Sequence, residues 1–353
     1  MNYSKHIFSG HFGNCHCQGI AVDEAHGYIY YSFTTLLVKT DMQGNLIGTV
    51  DGLTGHLGCI DFCEKDGRVY GSLEYKCDSI GRGIAATLGV QQENRTAFYC
   101  AIFDVDRIDR PGMSAERDDV MRAVYLGEVV ADYVATALVE GETYLHRYGC
   151  SGIDGTAFGP LCGQTGGKEY LHIAYGIYGE PNRPDNDYQV ILCYDADGWW
   201  DTYARPLNQA AMHKSGPDTY YEKFFVYTGN TTWGVQNLEY DAYTHSYMMM
   251  VYCGQKEEFP NYPMFLVDAT IPPRDSTHRV TGEPIRELTL KKVGHRQGEV
   301  FGNWFPYGST GTYATGTGYY YFSRHGGDAE GQYTNLHLYR ATDDPCDPFA
   351  IAE

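Results

Sequence analysis

Helical periodicity is scarce in this 353-residue chain. Only residues 129–145 carry enough of it to predict a short helix, which leaves an all-β fold as the expectation. Basic residues are also few, with 26 Lys and Arg against 45 Asp and Glu, a formal charge of -19. No local Lys/Arg run offsets that charge, so phosphate backbones are repelled and a nucleic-acid partner is excluded. An anionic ligand would need arginines of its own. No stretch approaches the roughly 18 apolar residues of a membrane span, and residues 1–8 lack the apolar core of a signal peptide. No membrane partner and a cytoplasmic location are expected. Cysteine occurs eleven times, an odd number, with no CxxC pair. Cys59, Cys63, Cys100, Cys193 and Cys253 sit at strand positions, as small apolar residues would. The triplet Cys15-His16-Cys17 alone suggests a metal. In an extended strand its two thiols face away from the imidazole, which argues against zinc.

What the chain has in quantity is Tyr, Gly and Phe: 32, 42 and 15 residues. Aromatic rings pack well on pleated surfaces, and glycine supplies the positive φ of tight turns. They are arranged in a pattern that returns five times, a short apolar strand, a tight turn and an aromatic-rich strand. The pairs begin at Gln18 and Tyr28, Gly58 and Arg68, Ser151 and Tyr170, Gln236 and Tyr247, and Thr310 and Tyr319. A repeated supersecondary unit predicts a five-bladed β-propeller.

Four strands per blade place the blades at about 15–51, 55–126, 148–205, 233–293 and 307–342, in a single domain over 1–353. Residues 199–203 are read as the fourth strand of blade three. Asp41, Asp104, Asp195 and Asp268 close third strands, where Asp suits the following turn. Blade five runs out of chain before its fourth strand, and residues 5–12 have no partner of their own. Pairing that N-terminal strand into blade five closes the ring and removes an open edge.

First strands run away from one face and second strands return to it, so first-strand starts and second-strand ends share a rim. The long insertions, 76–96, 106–147, 179–187, 207–233, 255–263, 294–309 and 326–334, fall on that rim, as loops that build a site do. The openings carry His16 with Gln18, His56, Arg147 with Ser151, Trp233 with Gln236, and Tyr307 with Ser309. The second-strand ends carry Thr34, Glu74 with Lys76, Tyr175 with Tyr178, Gln255, and Arg324 with His325. His16, His56 and Glu74 are the candidate acid–base groups. Gln18, Arg147, Trp233, Gln236, Arg324 and His325 are the candidate substrate contacts. At one position of the inner repeat stand Ala21, Asp61, Asp154, Glu239 and Tyr313. Its three acids either bind backbone N–H groups of the next blade or ring an axial cation, for which calcium suits oxygen ligands. No cofactor is otherwise indicated.

The blade count and polar rim resemble the five-bladed propellers of carbohydrate-active enzymes, such as the arabinanase and fructosidase groups. Those families place carboxylates at inner-strand starts, where this chain has His16 and His56, so their mechanism does not transfer residue by residue. Some propeller polysaccharide lyases use His or Tyr as base and Arg against a uronate, which the resemblance leaves open. The expectation is a glycoside hydrolase or a lyase acting on an oligosaccharide. The alternative is a non-catalytic propeller that binds a glycan or a protein on the same face.

Overall fold

The computed structural model describes residues 3–13, 15–91, 95–164, 166–177, 179–229 and 232–352. Tyr178 therefore lies outside the described residues. The fold is an all-β, five-bladed propeller. Blade one consists of Gly19–Asp23, Tyr28–Ser32, Leu37–Asp41 and Leu46–Asp51, paired antiparallel in sequence order. Blade two follows the same plan with His56–Cys63, Arg68–Tyr75, Ala97–Phe103 and Met121–Tyr125. The turn aspartates act as their position suggests. Asp41 Oδ1 accepts from the backbone N–H groups of Gln43 and Asn45, and Asp268 Oδ1 accepts from that of Thr270. Apolar side chains fill each of the five seams between neighbouring blades.

Three details differ from the sequence reading. In blade three, Cys150–Gly159, Tyr170–Ile177 and Tyr188–Tyr194 are followed by Glu222–Tyr227 as the fourth strand. Residues 199–202 instead form a short helical turn, with Trp199 buried against Tyr194. The predicted helix over 129–145 is α2, Gly127–Val134, and the remainder is a hairpin of Thr136–Val139 with Glu142–Leu145. An unforeseen helix, α1, Ser79–Leu88, occupies the insertion after the second strand of blade two. Asp78 caps it, accepting from the Gly81 N–H. Gly81 and Gly83 weaken the helical signal of this segment.

Blade four has Val235–Asp241, Ser246–Val251 and Met264–Asp268. Its outer position is filled by bridges from Leu290 to Val267 and from Asn303 to Met264. Blade five has Thr312–Ala314, Tyr319–Asp328 and Gly331–Ala341. The N-terminal strand His6–Phe8 pairs with residues 335–337 and closes the ring. The same outer position also receives the chain's own Phe349–Ile351, against residues 339–341. The closing strand is thus shared between both ends of the chain.

Candidate functional site

First-strand starts and second-strand ends surround one axial funnel of about 840 Å³. It brings together His16, Gln18, His56, Glu74, Trp233, Gln236 and His325, which are scattered over more than 300 positions of sequence. The axis beneath is plugged by Asn237. Its Nδ2 donates to the backbone carbonyls of Gln18 and Ser309, at 2.8 and 3.0 Å, and so ties blade four to blades one and five.

On the floor, His56 and Glu74 are ladder neighbours in blade two, which puts Nδ1 of His56 3.4 Å from Oε1 of Glu74. Glu74 is 2% exposed and fully engaged. It accepts from the Ile153 N–H at 3.1 Å and pairs with Lys76 at 2.5 Å. Lys76 also donates to the Ser151 carbonyl and lies 3.5 Å from Asp78, the α1 cap. Burial opposes the Glu74 charge, but the Lys76 ammonium and His56 outweigh it and hold the carboxyl below its ordinary value. This ion pair fixes the wall between blades two and three and leaves Lys76 committed.

Asp154 completes the floor, and the sequence placed it elsewhere. The blade-three ladder shifts register between Ile153 and Thr156, and Asp154 sits in that bulge. Bulges re-aim side chains. In the ladder Ile153 faces Tyr175 as Leu57 faces Leu73, so Asp154 is the counterpart of Gly58 and stands three residues nearer the rim than Asp61. Its Oδ1 lies 3.7 Å from Nδ1 of His56, and neither atom has a hydrogen-bond partner. Burial pushes the Asp154 carboxyl up to about 7, against the pull of His56. Burial lowers His56, yet Asp154 and Glu74 prevail and raise it above its ordinary value.

Two glycines make the floor possible. A Cβ on Gly58 would come within 2.4 Å of Asp154 Oδ1, and one on Gly152, at φ +137°, within 1.9 Å of Glu74 Oε2. On the other side of the funnel, Gln18 Nε2 donates to Nε2 of His16 at 3.0 Å and to Thr34 Oγ1 at 3.1 Å. The rings of His16 and His325 are 5.2 Å apart. Burial, then the neighbouring imidazoles, lowers His16 to about 4, and burial also lowers His325. These two rings are neutral at physiological pH, whereas His56 is biased toward its cation. Trp233 stands at the mouth, 37% exposed. Its ring lies on Gly179, where a Cβ would come within 2.6 Å of the indole.

The two expected arginines do not reach the funnel. Arg147 lies in a turn before the first strand of blade three and pairs outward with Glu283 at 2.8 Å. Arg324 stacks over Tyr307, 4.2 Å from the ring centroid, and donates to the Tyr339 hydroxyl. Strand alternation explains this, because His325 faces the funnel and its neighbour must face away. The repeat acids do not form a ring either. Asp61 accepts from the Phe158 N–H in blade three at 2.6 Å, and Glu239 from the Ala314 N–H in blade five at 2.8 Å. Both are inter-blade braces, and Asp154 lies at a different depth. Among the described residues no group of three or more His, Cys, Asp or Glu is disposed to hold a metal ion.

The sequence reading missed Asp154 as a funnel residue, and it missed α1, whose Ile80, Gly83, Ile84 and Thr87 form one wall. A second cavity of about 370 Å³ adjoins the funnel and shares His56, Glu74, Lys76, Ile80 and Ile84 with it. No helix among the described residues is long and apolar enough to cross a membrane.

No protein-family model matches the chain, and no curated protein matches it. Among solved structures, the Dos1 propeller is similar at 9% identity and a TM-score of 0.30, over 96% of this chain and 81% of that one. The holo form of the pyranose dehydrogenase PQQ domain from Coprinopsis cinerea is similar at 11% identity and a TM-score of 0.31, over 95% and 96%. Likenesses this distant leave the function to be argued from the funnel itself.

Proposed function

We propose that this propeller is a carbohydrate-active enzyme that hydrolyses a glycosidic bond in the funnel. The observation that carries this reading is the His56–Asp154 contact at 3.7 Å at the bottom of an open cavity, where Asp154 Oδ1 is buried with no hydrogen-bond partner among the described residues and Nδ1 of His56 stands between it and Glu74, 3.4 Å away. Native proteins seldom leave such atoms unpaired, and groups with displaced pKa values in a cleft point to acid–base work. A carboxyl that keeps its proton to about pH 7 is a general acid, and a neutral imidazole is a general base.

In this reading Asp154 protonates the glycosidic oxygen as the bond from the anomeric carbon breaks. The leaving group departs as the alcohol. Water adds its hydroxyl to the anomeric carbon and gives its other proton to Nε2 of His16, which releases the Gln18 N–H it accepts at rest. As Asp154 gives up its proton, its carboxylate and Glu74 draw His56 toward its cation, which stabilises that carboxylate in turn, and Trp233 supports a sugar ring by stacking. Elimination from a uronate is the less favoured course, because no arginine among the described residues lines the funnel and Lys76 is committed to Glu74.

A panel of glycosides and oligosaccharides, followed for both reducing ends and unsaturated products, tests this. New reducing ends without unsaturation are expected. Unsaturated products would replace hydrolysis by elimination. Binding without turnover would support the non-catalytic alternative.

A further inference from the structure

The funnel has two unlike halves. Its floor is polar, while one wall is the α1 stripe of Ile80, Gly83, Ile84 and Thr87. Positions i, i+3, i+4 and i+7 form a single helical face, so these residues meet the funnel together. Ile80 is 46% exposed. Scattered apolar residues on a surface need no explanation, but Ile80 and Ile84 line a concave cavity beside the acid–base floor. Charge narrows the choice of ligand further. The ammonium of Lys76 is held by Glu74 at 2.5 Å, His56 lies between the carboxyls of Glu74 and Asp154, and no arginine is among the described residues lining the cavity, so the cationic groups there are already matched by carboxyls of the protein.

We propose that the α1 stripe is a subsite for an apolar aglycone, so that the funnel takes neutral glycosides bearing an aryl or alkyl group at the anomeric carbon. The polar floor then holds the sugar beside Asp154, and the leaving group lies along Ile80 and Ile84. The sugar half of this assignment rests on the glycosidase reading above; the apolar half rests on α1 alone.

The test uses 1-thioglycosides, which bind in place of the oxygen-linked substrate and resist cleavage. Phenyl, octyl and methyl 1-thioglycosides of glucose, galactose, xylose and arabinose are titrated into the full chain by calorimetry. For at least one sugar, the phenyl and octyl compounds are expected to bind about tenfold tighter than the methyl one, the order of effect of burying a half-exposed aliphatic contact. Ile80→Ser should remove that advantage and leave the methyl compound's affinity unchanged, and Ile80→Leu should restore it. Equal affinity for methyl and phenyl compounds, an Ile80→Ser variant that weakens both alike, or no binding of any compound would overturn the subsite. Turnover that ignores the aglycone would overturn it while leaving the glycosidase reading intact. Tight phenyl binding without turnover of the corresponding phenyl O-glycosides would do the reverse.

Discussion

Nδ1 of His56 and Oδ1 of Asp154 face each other at 3.7 Å with no hydrogen bond between them, in a floor where Glu74 and Lys76 are fully paired. Two unlike roles follow from unlike surroundings. Glu74, with Lys76 and a backbone N–H on it, is a fixed anion, whereas Asp154, buried and unpaired at Oδ1, retains a proton. The nearby His16 is kept neutral by burial.

A pH profile follows from those values. The acid must be protonated, so kcat/KM should fall as pH rises through about 7, the value of Asp154. The base must be neutral, so kcat/KM should fall again as pH drops through about 4, the value of His16. Steady-state rates on a responsive glycoside measure both limbs. A rate that climbs through pH 7 and beyond would contradict the assignment of Asp154 as acid.

The inter-blade acids predict a different pH dependence, of stability. Burial raises Glu239 well above its ordinary value and Asp61 to about 7. Unfolded carboxyls ionise near about 4. Between that pH and the folded value the native state holds the extra proton, so stability is greatest below about pH 4 for this contribution and is lost as pH rises. Asp61 is only half-buried, which makes Glu239 the larger contributor. Glu239→Gln keeps an oxygen for the Ala314 N–H and removes the titration. Thermal melts at a series of pH values should therefore show a flatter decline for this variant than for the wild type. Parallel declines would contradict the prediction.

Closure by both chain ends predicts graded truncation effects. Removing residues 1–10 deletes the pairing with residues 335–337 and exposes the seam filled by Ile7, which is 2% exposed. Burying one such side chain contributes roughly 1.5–3 kcal/mol, so the melting temperature should drop by several degrees. Removing residues 348–353 as well should lower it further, because the remaining half of the same edge opens. An unchanged melt after the first deletion would contradict closure by the N-terminal strand.

The arginines separate this account from one built on an anionic substrate. Arg147→Ala and Arg324→Ala should leave kcat/KM on a neutral glycoside within about twofold, because their partners are Glu283, Tyr307 and Tyr339 outside the funnel. Arg147→Ala should instead cost a little stability, as loss of a half-exposed ion pair does, on the order of 1 kcal/mol or less. A hundredfold loss of rate from either variant would place a guanidinium at the substrate.

The repeat made the blades legible, since each aromatic second strand must pair with the apolar strand before it. Strand direction then located His16, His56, Glu74, Gln236 and His325 on one rim. Asp154 escaped because the match of Gly58-Cys-Ile-Asp with Ser151-Gly-Ile-Asp aligns by residue type, whereas the ladder aligns Leu57 with Ile153. A bulge has no fixed signature in sequence. Nor does a glycine kept bare by another blade's carboxylate, as Gly58 and Gly152 are. The fourth strand of blade three was lost to local pattern. Trp199 and Trp200 look like strand residues, but tertiary pairing with Tyr188–Tyr194 selects Glu222–Tyr227.

The central claim is that Asp154 is the proton donor, and Asp154→Asn tests it most directly. The substitution keeps the shape and cannot donate as an acid. At about pH 5.5, cleavage of a glycoside with a poor leaving group should fall by roughly a hundredfold to ten-thousandfold. An aryl glycoside whose phenolate leaves without protonation should lose much less, and the melting temperature should stay within a few degrees. Equal, small losses on both substrates would contradict the account.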